Sequence, residues 1–205
     1  MKLCAAIPMK DPCEAKTRLG EALSNEARAG LARTLFRNTL RTVLQVEAFE
    51  SVFVVTGSRD IRGLAEEFGT QVLSQQPSGL NLAANLAADA AVRQGYDGLA
   101  VIPGDLADPS VSDLVDLARL ARPETVVIAP AHDGGTNALL VCPPKGLAFR
   151  YGAASSHAHQ KAAHRAGLGC TLAVKQSLLH DIDTSDDLDR LARYGPISVL
   201  GDLSG

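Results

Sequence analysis

The amino-acid sequence predicts a three-layer α/β/α sandwich with a mostly parallel central sheet. Short apolar runs rich in β-branched residues alternate with longer segments of helical pattern along most of the chain. Gly69 and Gly95 each follow a helical segment, at the position where glycine commonly ends a helix. Strands joined by crossover helices give this alternation, and the helices should then cover both faces of the sheet.

The predicted elements follow one another in a regular order. The first strand, residues 2–7, is too short for a helix, and Pro8 stops it. Ser24 is the expected N-cap of a long helix that ends near residue 45. The later elements, in chain order, are strand 51–56, helix 60–68, strand 71–74, helix 81–94, strand 99–103, helix 111–121, strands 125–130 and 137–142, helix 155–166, strand 170–174 and helix 185–194.

The alternation becomes irregular after residue 130. Strands 125–130 and 137–142 are joined by a Gly-Gly loop, which predicts an antiparallel pair at an edge of the sheet or in a small subsidiary sheet. A second subunit could cover an open edge near Asn137, so a homodimer is one possible assembly. No internal repeat and no low-complexity linker interrupts the sequence, which predicts a single domain over residues 1–205.

The composition argues against several classes of partner. The chain has 205 residues, of which 46% are apolar, enough for a sizeable core. Its net charge of −3 argues against nucleic acid and membrane surfaces as partners, and no apolar run approaches a membrane span of about 20 residues. The four cysteines are far apart and form no C-x-x-C pair, so neither a zinc site nor a disulfide framework is expected. Together these features predict a globular protein of the reducing cytoplasm.

Three cations follow the first strand in a short loop. Lys10, Lys16 and Arg18 fall just past its carboxyl end, which is where open α/β sheets bind ligands. Two ammonium groups and one guanidinium group suit a polyphosphate, because a chain of negative net charge needs local cations to hold an anion. The plainer alternative is a basic loop that is only solvated.

Carboxylates follow two later segments. Asp105 comes at the carboxyl end of a buried strand, and an aspartate there is a natural ligand for a magnesium ion that also touches phosphate. Asp181 and Asp183 point the same way if their segment is extended, so either could join Asp105 on the metal. The alternatives are structural, with Asp105 in a turn and Asp183, or a hydroxyl residue beside it, as a helix cap.

Gly79, Leu80 and Asn81 open the alanine-rich helix. A glycine lets a ligand ring approach the backbone, and a helix N-terminus offers free N–H groups. These residues therefore predict part of a nucleotide site. An ordinary loop with Asn81 as the N-cap is the alternative.

Two stretches late in the chain predict the site of an acceptor. Residues 133–139 form a flexible loop that presents the hydroxyl of Thr136 and the amide of Asn137. Gly152 and Ser155 stand at the predicted start of a helix, where phosphate binds readily. These four side chains and backbone positions are the predicted acceptor-binding residues.

Several familiar nucleotide and hydrolase motifs are absent from the sequence. No G-x-G-x-x-G follows the first strand, and no G-x-x-x-x-G-K-[ST] occurs, so neither a Rossmann dinucleotide site nor a P-loop is predicted. The sequence also lacks the G-x-S-x-G elbow, which disfavours an α/β-hydrolase.

Six short motifs nevertheless occur in order along nearly the whole chain. They are I-P-M-K-x-x-x-x-A-K-T-R-L, G-L-N, P-x-D-L, G-T-N-A-L, F-R-Y-G-x-x-S and D-I-D-T-x-x-D-L. Through them the chain resembles the 2-phospho-L-lactate guanylyltransferase family. The resemblance implies a fold like that of molybdenum-cofactor nucleotidyltransferases, within the nucleotide-diphospho-sugar-transferase type.

The resemblance also implies an activity and its metal. Members of the family use GTP to attach GMP to 2-phospholactate, phosphoenolpyruvate or 3-phosphoglycerate, release pyrophosphate, and serve the biosynthesis of coenzyme F-420. By resemblance, Lys10, Lys16 and Arg18 match the triphosphate loop. Magnesium would be held by Asp105 and one carboxylate of the D-I-D segment, while Lys16 and Arg18 would stabilise the leaving pyrophosphate.

The acceptor positions are carried over in the same way. Thr136, Gly152 and Ser155 match the positions at which the family binds its acceptor. His159 falls where the family often has a histidine, and it is expected to help hold the acceptor anion. The chain departs from the family pattern P-A-D-L-P at Gly104 and Ala107, so the loop behind the metal aspartate should bend differently.

Three alternatives stay open from the sequence. A molybdenum-cofactor nucleotidyltransferase would share the fold, although residues 9–19 contain none of the glycines usual in its first loop. A sugar transferase with a D-x-D metal motif could use Asp181 and Asp183, although that motif normally lies near the middle of the chain. A non-catalytic nucleotide-binding protein is the third alternative.

Overall fold

A computed structural model of the protein describes residues 1–74, 79–184 and 186–189. The predicted elements are present in the predicted order, with boundaries shifted by a few residues, up to the last strand. They are β1 Leu3–Pro8, α1 Asn25–Leu44, β2 Phe49–Thr56, α2 Arg59–Glu67, β3 Gln71–Ser74, α3 Leu80–Arg93, β4 Gly98–Val101, α4 Val111–Arg119, β5 Thr125–Pro130, β6 Thr136–Cys142, α5 Ser155–Arg165 and β7 Gly169–Leu172. Most of the predicted helix 185–194 lies outside the described residues.

The strands form one seven-stranded sheet in the order β3-β2-β1-β4-β6-β5-β7. Parallel pairs join β1 to β2 and β4, β2 to β3, and β5 to β7. Within the described strands, only β6 runs against its neighbours, β4 and β5. The prediction of an α/β fold with a mostly parallel sheet is confirmed.

The expected position of β6 at an edge or in a subsidiary sheet is wrong. β5 and β6 do form an antiparallel pair, but β6 lies inside the main sheet and is hydrogen-bonded on both sides. Every residue of β6 is buried, which suits a strand covered on both faces. A second subunit therefore has no open edge to cover at Asn137, and the homodimer loses that argument.

Helices cover both faces of the sheet and give the three layers. Alternate residues of β1 serve the two cores, because successive side chains of a strand point to opposite faces. Ala5 and Ile7 join the core under α1, α2 and α4, whereas Cys4 and Ala6 join the core under α3 and α5. In the described parts of the chain, no helix combines the length and apolar character that crossing a bilayer requires.

Several strand ends meet at one edge of the sheet. β1, β2 and β4 are parallel, so the loops that follow them lie together at their carboxyl edge. β6 runs in the opposite direction, so its first residue, Thr136, lies at the same edge. The predicted nucleotide and acceptor residues are therefore brought to one side of the molecule.

The loop after β1 turns its central lysine inward. Two short 3₁₀ turns, Pro12–Glu14 and Thr17–Leu19, flank Lys16. Lys16 itself takes the left-handed conformation, with φ 56° and ψ 34°, which is uncommon for a residue with a side chain. The Asp11 carboxylate caps the first turn by accepting the Cys13 N–H at 2.9 Å. This backbone path buries the Lys16 side chain, which is 1% exposed.

Candidate active site

A cleft of about 570 Å³ lies at the carboxyl edge of the sheet. Its walls come from the loops after β1, β2 and β4 and from the start of α3. The polar and glycine residues that line it are Lys10, Asp11, Glu14, Gly57, Ser58, Gly79 and Asp105. The volume suits one small molecule, since ligand clefts commonly enclose about 300–1,000 Å³.

An ammonium group held between two carboxylates borders this cleft. Lys16 Nζ donates to Asp105 Oδ2 at 2.6 Å and to Asp183 Oδ1 at 3.0 Å. The Asp105 side chain is 27% exposed and that of Asp183 is 45% exposed, whereas the Lys16 side chain is buried. A ligand can therefore reach the carboxylates directly, while the ammonium lies behind them.

A short backbone pairing brings the two carboxylates together. Leu106 and Asp181 form an antiparallel bridge, so the segment after β4 runs beside the D-I-D segment. Asp105 and Asp183 then face the same lysine from two chain segments that are distant in sequence. The predicted convergence of these carboxylates is present in the structure.

Asp187 and Thr184 make the capping hydrogen bonds of this segment, so the Asp183 carboxylate is left to pair with Lys16. Asp187 Oδ2 accepts the N–H groups of Asp183 and Thr184 at 3.1 and 2.9 Å, and the Thr184 hydroxyl at 2.7 Å. Thr184 Oγ1 in turn accepts the Asp187 N–H at 3.3 Å. The capping alternative therefore applies to Thr184, and it leaves the Asp183 carboxylate to Lys16.

The charges of this cluster shift each other's pKa values. Burial opposes the charge on Lys16, but Asp105 and Asp183 more than offset it, so the lysine pKa is raised. Burial likewise opposes the charge on Asp105, yet Lys16, helped by Lys10, lowers the pKa of that carboxyl overall. Asp181 differs, because burial and the charges of Asp105 and Asp183 raise its pKa to about 6. Lys16 and Asp105 are therefore charged at neutral pH, and Asp181 takes up a proton at a higher pH than Asp105 does.

Asp105 and Asp183 fit the chemistry of a magnesium site. Magnesium at nucleotide sites commonly takes one or two carboxylates and completes its shell with phosphate oxygens and water. Both carboxylates already converge on one cation, the Lys16 ammonium. The described residues include no group of three or more His, Cys, Asp or Glu side chains that could hold a metal. The remaining ligands would therefore have to come from the substrate and water.

The predicted nucleotide-binding residues do not all face the cleft. Lys10, Gly79 and Leu80 line it, and Gly79 has φ 144°, a conformation that side chains rarely adopt. Arg18 is exposed on the turn after Lys16 and lies outside the described lining of the cleft. Of the three cations in the loop, one is in the cleft, one is buried beside it and one is in solvent.

Asn81 pairs with the backbone of a distant segment. Its Nδ2 donates to the Tyr151 carbonyl at 3.0 Å, and its Oδ1 accepts the Tyr151 N–H at 2.8 Å. The alternative that made Asn81 the helix N-cap is wrong, because Gly79 occupies that position. Asn81 thus links the first turn of α3 to the predicted acceptor stretch.

Thr136 and Ser155 come together through a buried histidine. Ser155 Oγ donates to Thr136 Oγ1 at 3.0 Å, and the same Thr136 oxygen lies 3.1 Å from His159 Nδ1. His159 Nε2 accepts the Arg150 backbone N–H at 2.9 Å. His159 has no exposed surface, and burial lowers its pKa to about 4, so the imidazole is neutral at physiological pH. It contacts the hydroxyl groups and offers no surface for direct contact with an anion.

Gly152 and Asn137 differ in their access to a ligand. Gly152 has φ 140°, and the space where a side chain would lie is open, so its backbone can approach a ligand closely. Asn137 is 4% exposed, and its Nδ2 is shielded and unpartnered within the described structure. The structure therefore groups Thr136, Gly152 and Ser155 through hydrogen bonds, whereas the Asn137 Nδ2 takes no part in that group.

Single-sequence reasoning missed two contacts that organise the site. Nothing local indicates that Asn81 pairs with Tyr151, which lies 70 positions further along the chain. The departure at Gly104 has a packing reason, because a Cβ there would come within 3.0 Å of the Phe36 ring. That close approach could have been suspected only from the glycine itself.

The fold and the cleft define the class of protein. A cleft at the carboxyl edge of a parallel sheet is where open α/β proteins bind their ligands, and here it is bordered by a cationic first loop and paired carboxylates. A nucleotidyl transferase from Methanothermobacter superposes with a TM-score of 0.71, covering 95% of this chain and 97% of that one, at 16% sequence identity. The chain thus has the nucleotidyltransferase fold.

Sequence comparison places the chain in a family of that class. The family model for guanylyl transferase CofC-like proteins matches residues 3–196. A 3-phospho-D-glycerate guanylyltransferase of Colwellia psychrerythraea is 37% identical over 94% of this chain and 92% of its own length. A phosphoenolpyruvate guanylyltransferase of Sphaerobacter thermophilus is 33% identical over 100% of both chains. The chain therefore belongs to the guanylyl transferase CofC-like family, and the resemblance carried by the six motifs is confirmed.

Proposed function

We propose that the protein transfers GMP from GTP to a phosphorylated three-carbon acid and releases pyrophosphate, as a step of coenzyme F-420 biosynthesis. The candidate acids are 3-phosphoglycerate, phosphoenolpyruvate and 2-phospholactate. Membership of the guanylyl transferase family supports the reaction class. One observation carries the proposal: the Lys16–Asp105–Asp183 cluster borders a cleft of nucleotide size at the sheet edge where Thr136 begins β6.

The proposed reaction needs no general base. An oxygen of the acceptor phosphate is already an anion, and it attacks the α-phosphorus of GTP. A new P–O bond forms there while the bond to the β-phosphate oxygen breaks, and pyrophosphate leaves with that electron pair. Catalysis is then positioning in line together with stabilisation of negative charge.

The cations near the cleft are suited to the second task. Lys10 faces the cleft, and Lys16 lies behind the two carboxylates at its border. Arg18 reaches the triphosphate only if its exposed side chain folds back over the turn. Asp105 and Asp183, or Asp181 in place of the latter, would hold magnesium, which when bound supplies positive charge to phosphate oxygens.

The acceptor would lie on the hydroxyl side of the site. Thr136, Ser155 and the open backbone at Gly152 supply neutral hydrogen-bonding groups for its carboxylate or phosphate. β6 lies next to β4, so Thr136 is on the strand adjacent to the one that delivers Asp105. The two substrates would therefore meet over neighbouring strands.

Pyrophosphate release from magnesium-GTP tests the proposal directly. Each of the three acids is supplied in parallel, and ATP and CTP replace GTP as controls. We expect release with GTP and one acid, and no release without an acid. Absence of release with every acid would refute the guanylyltransferase proposal for these acceptors, and a molybdenum-cofactor-type reaction would be tested next.

An Asp105→Asn variant tests the place of the chemistry. It keeps the shape of the side chain and removes the charge that pairs with Lys16. We expect kcat to fall by roughly 10³-fold, the size of effect seen when one preorganised electrostatic group is lost. Asp116→Asn is the matched control, because it removes a carboxylate on α4 that is likewise paired with a lysine, Lys175. Near-normal turnover of a folded Asp105→Asn protein would remove Asp105 from the site.

The remaining parts of the proposal concern the setting of the enzyme. A single domain over residues 1–205 is supported by the one sheet shared by both halves of the site. A cytoplasmic location is supported by the separated cysteines, all of which are free thiols. The homodimer stays a prediction, now without the argument from an open β6 edge.

A further inference from the structure

A continuous hydrogen-bonded chain lies behind the proposed acceptor site. It runs from the Arg150 backbone N–H through His159 to Thr136 and Ser155, over distances of 2.9, 3.1 and 3.0 Å. The three side chains are 0%, 5% and 2% exposed, respectively. Because water has little access to them, these groups must satisfy one another or a ligand.

The backbone at Arg150 fixes which nitrogen of His159 carries the proton. An amide N–H can only donate, so Nε2 must accept and cannot itself be protonated. The imidazole is neutral, since burial lowers its pKa to about 4, and its one proton is then on Nδ1. Nδ1–H therefore donates to Thr136 Oγ1.

This tautomer leaves one hydroxyl proton of the Thr136–Ser155 pair available to a ligand. Thr136 and Ser155 carry one hydroxyl proton each, and the bond between them uses one of the two. With Nδ1–H donating to Thr136, the second hydroxyl proton stays available to a ligand. With the opposite tautomer, Thr136 would have to donate to His159, both hydroxyl protons would be used, and the pair would present only lone pairs.

We propose that His159 is a positioning residue that makes the Thr136–Ser155 pair a hydrogen-bond donor to an anionic oxygen of the acceptor acid. This inference rests on the proposed guanylyl transfer and deepens it. His159 touches neither substrate and acts through Thr136. An anion gains from a donated proton and is repelled by lone pairs, so the tautomer governs acceptor binding.

The same imidazole also helps to hold the loop that carries Gly152. His159 accepts a hydrogen bond from the backbone of Arg150, and Asn81 holds the backbone of the next residue, Tyr151, by two hydrogen bonds. The ring of Tyr151 packs edge-on against His159, with centroids 4.8 Å apart. The donor pair and the Gly152 backbone are thus set by one group of contacts.

The protonation state can be tested in the wild-type protein without any substrate. ¹⁵N NMR of histidine-labelled protein at neutral pH reports which imidazole nitrogen carries the proton. His159→Asn identifies the signal, because it is the one that disappears. We expect Nδ1 protonated and Nε2 unprotonated; the reverse assignment would overturn the inference, whatever the activity of the enzyme.

Two isosteric substitutions test the consequence for the acceptor. An asparagine amide nitrogen can stand near the position of Nδ1, and a glutamine amide group near that of Nε2. His159→Asn therefore keeps a donor for Thr136, whereas His159→Gln keeps a partner for Arg150 and loses that donor. We expect His159→Gln to raise the acceptor KM by about tenfold and His159→Asn to raise it less, since a hydrogen bond to a charged group is worth about that factor.

The kinetic pattern separates this role from a merely structural one. The KM for GTP and kcat at saturating acceptor should stay within about twofold of wild type in the glutamine variant, because His159 touches no reacting atom. Equal loss in kcat with both variants, or an unchanged acceptor KM in a folded His159→Gln protein, would overturn the inference. If wild type releases no pyrophosphate with any acid, the proposed function itself fails, and that result is distinct from both of these.

Discussion

The two sides of the proposed site differ in the groups that they offer to an anion. On the nucleotide side, Lys16 lies between two carboxylates, and Lys10 faces the cleft beside them. On the acceptor side, the groups are neutral: hydroxyls at Thr136 and Ser155 are organised by a buried imidazole. One side is a charged cluster at strand ends, and the other is a network of hydrogen bonds under a loop.

The difference matches the charge that each side has to handle during the reaction. Negative charge moves from the α-phosphate to the leaving pyrophosphate, so preorganised cations and a metal are useful there. The acceptor keeps its own charge until it attacks, and excess cations would lower its nucleophilicity. A neutral donor set can orient such an anion without quenching it. We therefore expect the loss of a charged group on the nucleotide side to lower activity far more than the loss of a neutral group on the acceptor side.

Lys16→Met should have the largest effect on the nucleotide side. It removes the ammonium that neutralises Asp105 and Asp183 and leaves two carboxylates facing the phosphate site. We expect kcat/KM for GTP to fall by roughly 10³-fold, as for the loss of a central electrostatic group. Steady-state kinetics with circular dichroism as a folding check would measure it. Lys175→Met, which breaks the pair between Lys175 and Asp116 of α4, is the matched control and should leave turnover near wild type.

Thr136→Val should have a smaller effect, confined to the acceptor side. The change is close to isosteric and removes the hydroxyl between His159 and Ser155. We expect the acceptor KM to rise about tenfold while the GTP KM is unchanged, because the lost group is neutral and lies outside the lining of the nucleotide cleft. Thr39→Val is the control, since Thr39 Oγ1 is buried on α1 without a hydrogen-bond partner in the described structure. A parallel rise in both KM values would contradict a division of the site into two halves.

The charged side could be predicted from the sequence because its residues follow strand ends. Lys10 and Asp105 come directly after buried apolar runs, and the carboxyl ends of parallel strands meet at one edge. The interior position of β6 also has a signal in the sequence, because its residues are mostly apolar on both faces, as in a strand covered on both sides. The Gly-Gly loop predicts the hairpin between β5 and β6 but carries no information about the strand on the other side of β6.

The neutral side was less predictable for a physical reason. α5 buries Ser155, Ser156, His159 and Ala163 against the sheet, a face with one apolar side chain. A helix of this kind has no apolar stripe by which to recognise its buried side. The pairing of the Thr136 hydroxyl with the His159 imidazole then depends on tertiary contacts, which leave no local pattern in the sequence.

Asp181→Asn tests the charged side of the site through its effect on the free energy of unfolding. Burial and the charges of Asp105 and Asp183 raise the pKa of Asp181 to about 6, against about 4 in an unfolded chain. Between these values the folded protein binds a proton that the unfolded chain releases, so this group lowers stability as pH rises from about 4 to about 6. Without magnesium, Asp181→Asn should gain about 1–2 kcal/mol at pH 7, a figure discounted for partial exposure, and nothing near pH 4.

Thermal and urea unfolding at the two pH values would measure this gain. Asp183→Asn is the contrasting variant, because it removes a carboxylate paired with Lys16 and should not stabilise. Added magnesium should stabilise wild type more than the Asp181→Asn protein if Asp181 is the second metal carboxylate. Equal stabilisation of both proteins would assign that place to Asp183.

Asn81→Ala should have the smallest effect, and it tests whether the two sides are connected. Asn81 lies in the first turn of α3, next to the residues that line the nucleotide cleft, yet its amide makes two hydrogen bonds to Tyr151 in the acceptor loop. These bonds are exposed, so water can replace them at a cost of roughly 1 kcal/mol or less. We expect the acceptor KM to rise about threefold, with the GTP KM close to wild type. Asn85→Ala is the control, because Asn85 lies one turn further on and, among the described residues, its side chain bonds to the Asn81 carbonyl and not to Tyr151. The coupling of the two sides is measured as the effect of bound GTP on the acceptor KM. If GTP lowers this KM in wild type and in Asn85→Ala but not in Asn81→Ala, the Asn81–Tyr151 pair carries the coupling between the charged and the neutral side. If the dependence is the same in all three proteins, the two halves share an edge of the sheet and nothing more.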